Sequence, residues 1–422
     1  MRGQVLVVLG VLAVLPGMLF AGGQQEVVED GPVTLEMWAW DGSIDEEAVR
    51  EYDEMNPDVS VNLRLIEQGD LHENLLTSFV GGSGAPDIAA IEIMYMQRFL
   101  ASPTNFVNLY EVGAVDVEGD YLDWKFDQAK TPAGDVVIGL PIDIGPMAMA
   151  YRVDVLEEAG LPTDPEEVAA LISTWDDFLE LGRRIEAETG TPLVTNLKQL
   201  FDAVANQAPL RYFDENNELI VDSNEQVQRA WDIAVAAHES GLSANISPWT
   251  SDWAAGHNQG AFAFEFAPSW MVRYLRENSP DAEGQWAIVE TVPEGGGNWG
   301  GSFLGIPAQT DHPEAAYAMI EWLLAPEQQI TMFQREALFP STPSIFDEPA
   351  MADWTDDFFA TPNIGPIYAV AAERVIPQYL GPDHTVVNDQ IETALGRIED
   401  GVQQPDAAWD EAIREAERQM SR

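Results

Sequence analysis

Between residues 33 and 93 the chain alternates strand-like and helix-like segments, and this alternation restricts the fold more than any other feature of the sequence. Residues 33–38 alternate apolar and polar side chains with a period of two, which predicts a strand. A helix follows, which we expect to begin at Ser43 with Glu46 completing a capping box. The alternation continues through a strand over 59–66, a helix over 71–80 and a strand over 87–93. Strands separated by helices at this spacing predict a parallel sheet of the α/β class.

The rest of the chain continues the pattern, and glycine- and proline-rich breaks interrupt it near 141–146, 293–301 and 339–343. Further strands are expected over 136–141, 147–151, 261–266, 286–292 and 303–306, and the clearest helices over 153–159, 174–188, 225–240, 313–324, 387–398 and 406–420. Two lobes joined by several crossing strands need more than one such break. The sequence therefore predicts two α/β lobes.

The charge balance excludes several classes of function. Asp and Glu total 72 against 20 Lys and Arg, a formal net charge of −52. A surface this acidic repels phosphate backbones and anionic headgroups, so we expect no nucleic-acid partner and no polybasic contact with a membrane.

The repulsion among so many negative charges destabilises a compact protein at low ionic strength. The composition therefore favours adaptation to a salt-rich medium over an ordinary acidic protein.

The first 31 residues are typical of an exported protein. Arg2 precedes an apolar stretch over 5–15, and Ala21 ends a plausible cleavage site, so we expect a signal peptide over 1–21 and a polar linker over 22–31. The apolar stretch is too short to cross about 30 Å of hydrocarbon. The chain has no cysteine, so we expect neither disulfides nor a lipid anchor on cysteine, and we expect a periplasmic location.

A series of short motifs runs through most of the chain after residue 32. They are Leu35-Glu-Met-Trp38-Ala-Trp-Asp41, Asn56-Pro-Asp-Val59, Gly84-Ala-Pro-Asp-Ile88, Gly139-Leu-Pro-Ile-Asp143, Met149-Ala-Tyr151-Arg, Glu158-Ala-Gly-Leu161, Thr174-Trp-Asp-Asp-Phe178, Gly260-Ala-Phe-Ala-Phe264, Ala267-Pro-Ser-Trp270, Gly300-Gly-Ser-Phe-Leu-Gly-Ile306 and His312-Pro-Glu-Ala-Ala316. In this order the chain resembles the periplasmic solute-binding proteins of ABC importers, in the carbohydrate-binding family that includes the maltose-binding proteins. It departs from the family in Arg152, where Asn is usual, and in lacking an N-terminal cysteine.

The resemblance implies a two-lobe periplasmic-binding-protein fold of the α/β class, with three hinge crossings and a ligand cleft between the lobes. It assigns 32–142 and 301–342 to the first lobe, and 147–295 and 343–422 to the second. It also implies that the protein captures a mono- or oligosaccharide by lobe closure and delivers it to the permease subunits of an ABC transporter. On this basis we expect a monomer that needs no cofactor.

Candidate ligand contacts follow the carboxyl ends of strands, where open α/β sheets bind ligands. Sugars stack their C–H faces on aromatic rings and direct their hydroxyls to carboxylates and amides. The candidates at strand ends are Trp40, Asp41, Glu92, Asp143, Trp270, Gly301 and Ser302, and Trp253 and Trp299 are further aromatic candidates. The resemblance supports Glu92 and Trp270, where relatives carry a sugar-binding acid and a stacking ring. It also adds His384, from a loop that closes on the ligand.

Two other functions stay open from the residues alone. Acids and aromatic rings would also suit a cationic solute such as a polyamine, through ion pairs and cation–π contacts. An exported glycoside hydrolase would need two carboxylates about 5–9.5 Å apart, which so acidic a chain produces by chance. No Gly-x-Ser-x-Gly elbow or lysine-containing phosphate loop is present, and the five histidines lack metal-ligand spacing. We therefore expect a binding protein without a metal site, rather than an enzyme.

Overall fold

The computed structural model describes residues 32–421, so the expected signal peptide (1–21) and linker (22–31) lie outside the described residues. The strands are β1 (Val33–Ala39), β2 (Val59–Leu65), β3 (Ile88–Glu92), β4 (Leu140–Pro141), β5 (Asp143–Ile144), β6 (Met147–Arg152), β7 (Phe264–Pro268), β8 (Trp286–Val289), β9 (Ser302–Gly305) and β10 (Phe339–Pro340). They form a five-stranded sheet, a three-stranded sheet and a two-stranded ribbon.

Helices surround both sheets. They are α1 (Glu46–Met55), α2 (Gln68–Gly81), α3 (Ile93–Leu100), α4 (Asp123–Asp127), α5 (Val153–Glu158), α6 (Pro165–Leu171), α7 (Trp175–Thr189), α8 (Leu197–Ala205), α9 (Glu225–Glu239), α10 (Ser251–Gln259), α11 (Met271–Asn278), α12 (Pro313–Leu323), α13 (Pro326–Glu336), α14 (Pro349–Ala352), α15 (Gly365–Glu373), α16 (His384–Glu399) and α17 (Pro405–Met420). Short 3₁₀ turns occupy Pro103–Asn105, Leu109–Glu111, Ala114–Asp116, Glu118–Asp120, Pro280–Ala282 and Pro343–Ile345. Within 32–421 no helix combines the length and apolarity needed to cross a membrane.

The five-stranded sheet has the order β2-β1-β3-β9-β4. Strand β1 runs parallel to β2 and to β3, as the strand–helix alternation predicts. Strand β9 returns from much later in the chain and lies antiparallel between β3 and β4. Apolar side chains from these strands and from α1, α2, α3 and α12 form one core. This sheet and its core make up the first lobe.

The three-stranded sheet is antiparallel, with β6 between β7 and β8. Every residue of β6 is buried, because both faces of the sheet are covered. Met147, Met149 and Tyr151 belong to the core on one face, whereas Ala148 and Ala150 belong to the core on the other. This period of two is the strand geometry that the sequence suggested. The sheet and its two cores make up the second lobe.

The chain passes between the lobes at three places, and these crossings are hydrogen-bonded to one another. Ile142 N in the first crossing donates to Ser302 O at 2.9 Å, and Trp299 N in the second donates to Gly145 O at 2.8 Å. The third crossing contributes β10, which pairs antiparallel with β5. The expected fold of two α/β lobes with three crossings is therefore confirmed. The residue boundaries of the lobes stay a prediction.

Several predicted bounds differ from the observed ones, and two of the differences have a clear local cause. Helix α1 begins at Glu46 and not at Ser43, because Asp45 is its N-cap and accepts hydrogen bonds from two backbone amides of the first turn. The Ser43 hydroxyl instead donates to Trp40 O at 2.7 Å and closes the preceding turn. The strand expected over 136–141 is reduced to β4, since Val137 N donates to the side chain of Asn108 rather than to a neighbouring strand.

Candidate functional site

One cavity of about 850 Å³ lies between the two lobes, within the range of about 300–1,000 Å³ that is usual for ligand pockets. All ten candidate residues line it: Trp40, Asp41, Glu92, Asp143, Trp253, Trp270, Trp299, Gly301, Ser302 and His384. Because strand ends from both sheets meet at the crossings, residues that are far apart in the sequence are brought together here. Their role as ligand contacts stays a prediction.

One part of the cavity wall is a cluster of aromatic rings. The ring centroid of Trp270 lies 6.0 Å from that of Trp249, 6.1 Å from Tyr274 and 6.4 Å from Trp299. The Trp270 indole N–H donates to Trp299 O at 2.9 Å, which fixes its ring against the second crossing. Trp270 also packs against the core of the first lobe and a core of the second. Its ring is therefore held at the boundary between the lobes.

Glu92 ends strand β3 and serves as the N-cap of helix α3. Its Oε2 accepts a hydrogen bond from Met94 N at 2.6 Å, while its own backbone N–H donates to the His72 imidazole at 3.0 Å. The side chain is buried, and burial raises the pKa of Glu92 to about 7, against the opposing effects of the α3 amides and Lys125. Near neutral pH this carboxyl is thus able to donate or accept a hydrogen bond.

Asp143 connects two of the crossings. Its Oδ1 accepts hydrogen bonds from Ser302 N at 2.8 Å and from the Ser302 hydroxyl at 2.6 Å. Burial raises the pKa of Asp143, although Lys125 and Ser302 act in the opposite direction. At least one carboxylate oxygen of Asp143 therefore stabilises the hinge and has a structural partner already.

Lys125 lies behind this wall of the cavity, where no sequence motif predicted it. Its side chain is fully buried, with Nζ 3.9 Å from the centroid of the Phe303 ring and without a hydrogen-bond partner among the described residues. Burial lowers the pKa of Lys125 to about 8, against the attraction of Asp143 and Glu92. A Cβ on Gly301 would lie 2.7 Å from this Nζ, and Gly301 has a φ of +99°, so the close approach requires glycine.

Asp41 lies at the rim of the cavity and forms an ion pair across it. Its Oδ1 is 2.9 Å from Arg273 Nη2 on helix α11, and the Tyr274 hydroxyl donates to Asp41 O at 3.2 Å. Arg273 also pairs with Glu277 and Glu336. Because Asp41 follows β1 in the first lobe and Arg273 belongs to the second, this contact joins the lobes.

Polar side chains of helices α8 and α16 and of the segment that follows α8 form another part of the cavity wall, and sequence reasoning missed all of them. They are Lys198, Gln199, Asp202, Asn206, Arg211, Asn388 and Glu392. Arg211 forms a buried ion pair with Asp202 and donates to Asn388 Oδ1 at 2.8 Å. The available signal was a set of three polar residues, Lys198, Gln199 and Asp202, inside the otherwise apolar stretch 197–205.

His384 is the first residue of α16 rather than part of a loop. Its ring stacks on Tyr212 with centroids 5.1 Å apart and is almost completely buried. Burial and the charge of Arg211 lower the pKa of His384 well below the usual histidine value, so the imidazole is neutral. A neutral imidazole offers one hydrogen-bond donor and one acceptor to the cavity wall.

Several buried polar atoms on residues of the cavity wall have no hydrogen-bond partner within 32–421. They are Gln128 Oε1, Arg211 Nε, Trp253 Nε1 and both ring nitrogens of His384. Buried polar groups are nearly always paired in folded proteins, so partners from a ligand or from solvent are expected here. Within the same residues, no three His, Asp or Glu side chains converge as a metal ion would require.

Residues 39–330 match the family described as bacterial extracellular solute-binding protein, which is well over half of the chain. The chain belongs to this family. It is 26% identical to an arabinooligosaccharide-binding protein of Bacillus subtilis (strain 168). The alignment covers 75% of this chain and 76% of the relative. The chain is 29% identical to a lactose-binding protein of Rhizobium radiobacter over 61% of each chain.

A solved structure described as an extracellular solute-binding protein family 1 has the same fold. It is 35% identical in sequence, with a TM-score of 0.83 over 92% of this chain and 99% of that one. The family resemblance stated from the sequence motifs is therefore confirmed. The relatives are binding proteins rather than enzymes, in agreement with the expectation of a binding role.

Proposed function

We propose that this solute-binding protein captures a neutral mono- or oligosaccharide in the cavity between its lobes. The observation that carries the proposal is the composition of the cavity wall. Aromatic rings around Trp270 line one part of the wall, and polar groups around Arg211, several of them paired with one another, line another part. A sugar presents apolar C–H faces and hydroxyl edges to these two kinds of surface at once. The named ligands of the two relatives, arabinooligosaccharide and lactose, are neutral sugars of this kind.

A cationic solute fits the wall less well, because three carboxylates of the wall already have partners. Asp41 pairs with Arg273, Asp202 pairs with Arg211, and Asp143 accepts two hydrogen bonds from Ser302. A polyamine would have to compete with each of these contacts and would also meet the buried guanidinium of Arg211. A neutral ligand leaves the contacts intact.

In the proposed mechanism, ligand binding favours the arrangement in which the lobes are closed. Asp41 and Arg273 join the lobes at the rim of the cavity, and helix α3 of the first lobe also contacts helix α16 of the second. A sugar that touches both lobes binds this arrangement more tightly than an open one and so shifts the population towards it. The closed monomer would then deliver the sugar to the permease subunits of an ABC transporter. We place this step in the periplasm, with no lipid anchor and no cofactor.

A thermal-shift screen of the purified protein in about 2 M salt tests this proposal. The panel contains neutral saccharides of one to three units, polyamines and quaternary ammonium solutes. A ligand at 100 times its Kd should stabilise the fold by about 2.7 kcal/mol, a shift of a few degrees in a chain of this size. We expect shifts with saccharides, which chromatography recovers intact. Shifts with polyamines alone, or release of hydrolysed sugar, would contradict the proposal.

A further inference from the structure

Trp249 combines two features that reduce stability. Its backbone has a φ of +63°, in the left-handed region that a bulky side chain rarely adopts. Its side chain is also 56% exposed, more than any other aromatic residue in the cavity wall. Strained backbone and exposed apolar area at the same residue occur chiefly where the residue serves a function.

The neighbouring residues hold Trp249 in this conformation. The Thr250 hydroxyl donates to Ser247 O at 2.8 Å and accepts from Trp253 N at 3.2 Å, so that Thr250 is the N-cap of helix α10. On the other side Pro248 has a φ fixed by its ring. The loop is therefore anchored at both ends, and the indole of Trp249 is directed by the backbone rather than by burial.

The Trp249 ring continues the aromatic wall outward from Trp270. Its centroid is 4.9 Å from that of Trp253, 5.0 Å from Tyr274 and 6.0 Å from Trp270, with an angle of 33° between the two indole planes of the last pair. Trp253 is almost completely buried and Trp270 is half-buried, whereas Trp249 is open to solvent. The two indoles thus form neighbouring platforms, one inside the cavity and one at its mouth.

We propose that Trp249 is an outer platform on which a second sugar ring stacks, so that the site selects saccharides of two or more units. The inference rests on the proposed function. The separation of the Trp249 and Trp270 rings is comparable to that of adjacent rings in a linear saccharide, and the two indole planes are inclined by only 33°. A monosaccharide on Trp270 leaves Trp249 exposed to water, whereas a longer ligand covers it and gains the burial of an aromatic face.

The experiment is calorimetric titration with two series of saccharides of increasing length. The first contains arabinose, arabinobiose and arabinotriose, and the second contains galactose and lactose. Trp249→Asn removes the ring and keeps a residue that tolerates positive φ, whereas Trp249→Phe keeps a ring. We expect the wild-type protein to bind the disaccharide about fivefold to tenfold more tightly than the monosaccharide. Trp249→Asn should lose this gain and keep the wild-type affinity for the monosaccharide, and Trp249→Phe should retain most of the gain.

The matched control is Val402→Asn, which replaces another exposed apolar residue outside the cavity wall and should leave every affinity unchanged. The Tm of unliganded Trp249→Asn should equal or exceed that of the wild type. If Trp249→Asn still binds the disaccharide more tightly than the monosaccharide by the wild-type factor, the inference is overturned. Equal weakening at every length together with a lowered Tm would assign Trp249 a structural role and overturn it too. If the wild type binds no saccharide, the proposed function itself fails.

Discussion

The ionisable side chains at the base of the cavity are buried and close enough to influence one another. Glu92 has a raised pKa, Lys125 a lowered one and Asp143 a raised one, each chiefly because burial disfavours the charged form. The opposite charges limit the size of each change. As a result the charge state of this wall changes near neutral pH. The positions of the two carboxyl groups are held by hydrogen bonds, from Ser302 to Asp143 and from Met94 N to Glu92.

Replacing Glu92 by Gln should change how stability depends on pH. The folded pKa of Glu92, about 7, is raised above its ordinary value of 4.5, so its contribution to stability is complete below pH 4.5 and is lost as the pH rises to 7. The stability of Glu92→Gln relative to wild type should therefore increase across this interval, by up to about 1.4 kcal/mol per pH unit, and level off above pH 7. Urea unfolding from pH 4 to 9 at constant salt measures this difference. A difference that is independent of pH would contradict the assignment.

At the scale of secondary-structure elements, helix α11 and the end of β1 are joined by the Asp41–Arg273 pair. Arg273→Gln should weaken this contact between the lobes, lower the closed population and raise the ligand release rate by about twofold to tenfold. Stopped-flow release of the best ligand from the thermal-shift screen measures the change. Arg418→Gln, which removes an exposed ion pair within α17, is the control and should have no effect.

The effect of Arg273→Gln should be larger at low salt than in 2 M salt, since the Asp41 carboxylate is largely exposed and its attraction to Arg273 is screened. Equal release rates for Arg273→Gln and wild type at low salt would show that this pair does not hold the lobes together.

Elements with a long, regular hydrophobic pattern were predictable from the sequence. Helix α7 begins and ends within one residue of the predicted range 174–188, and α17 begins within one residue of its prediction. The two-residue strands β5 and β10 were not predictable, because two residues carry no periodicity and their pairing depends on contacts between the crossings.

The candidate site was also predictable in part. Residues at strand ends, such as Trp270 and Glu92, follow from the rule that ligands bind at the carboxyl ends of strands. Lys125 and Arg211 have no such marker, since each becomes part of the cavity region only when distant segments pack around it. The interlobe partner of Asp41 was equally out of reach, because Arg273 is separated from it by 232 residues.

At the scale of the whole molecule, the net charge of −52 should make stability depend strongly on salt. Raising NaCl from 0.1 to 2 M shortens the Debye length from about 10 Å to less than 3 Å and screens the repulsion among surface carboxylates. We expect the Tm to rise steadily over this range. A parallel series in sucrose, which favours compact states without screening charge, is the control. A Tm that is unchanged or lower in 2 M NaCl would contradict the expectation of adaptation to a salt-rich medium.

The central claim is that a neutral sugar binds between the lobes against Trp270, and calorimetric titration of wild-type protein and Trp270→Ala with lactose and arabinotriose tests it most directly. Trp322→Ala is the control, because Trp322 packs partly buried against the first-lobe core outside the cavity. The account predicts one binding site for at least one of these sugars in the wild type and in Trp322→Ala, and no measurable binding to a folded Trp270→Ala. Binding to Trp270→Ala as tight as in the wild type would contradict it.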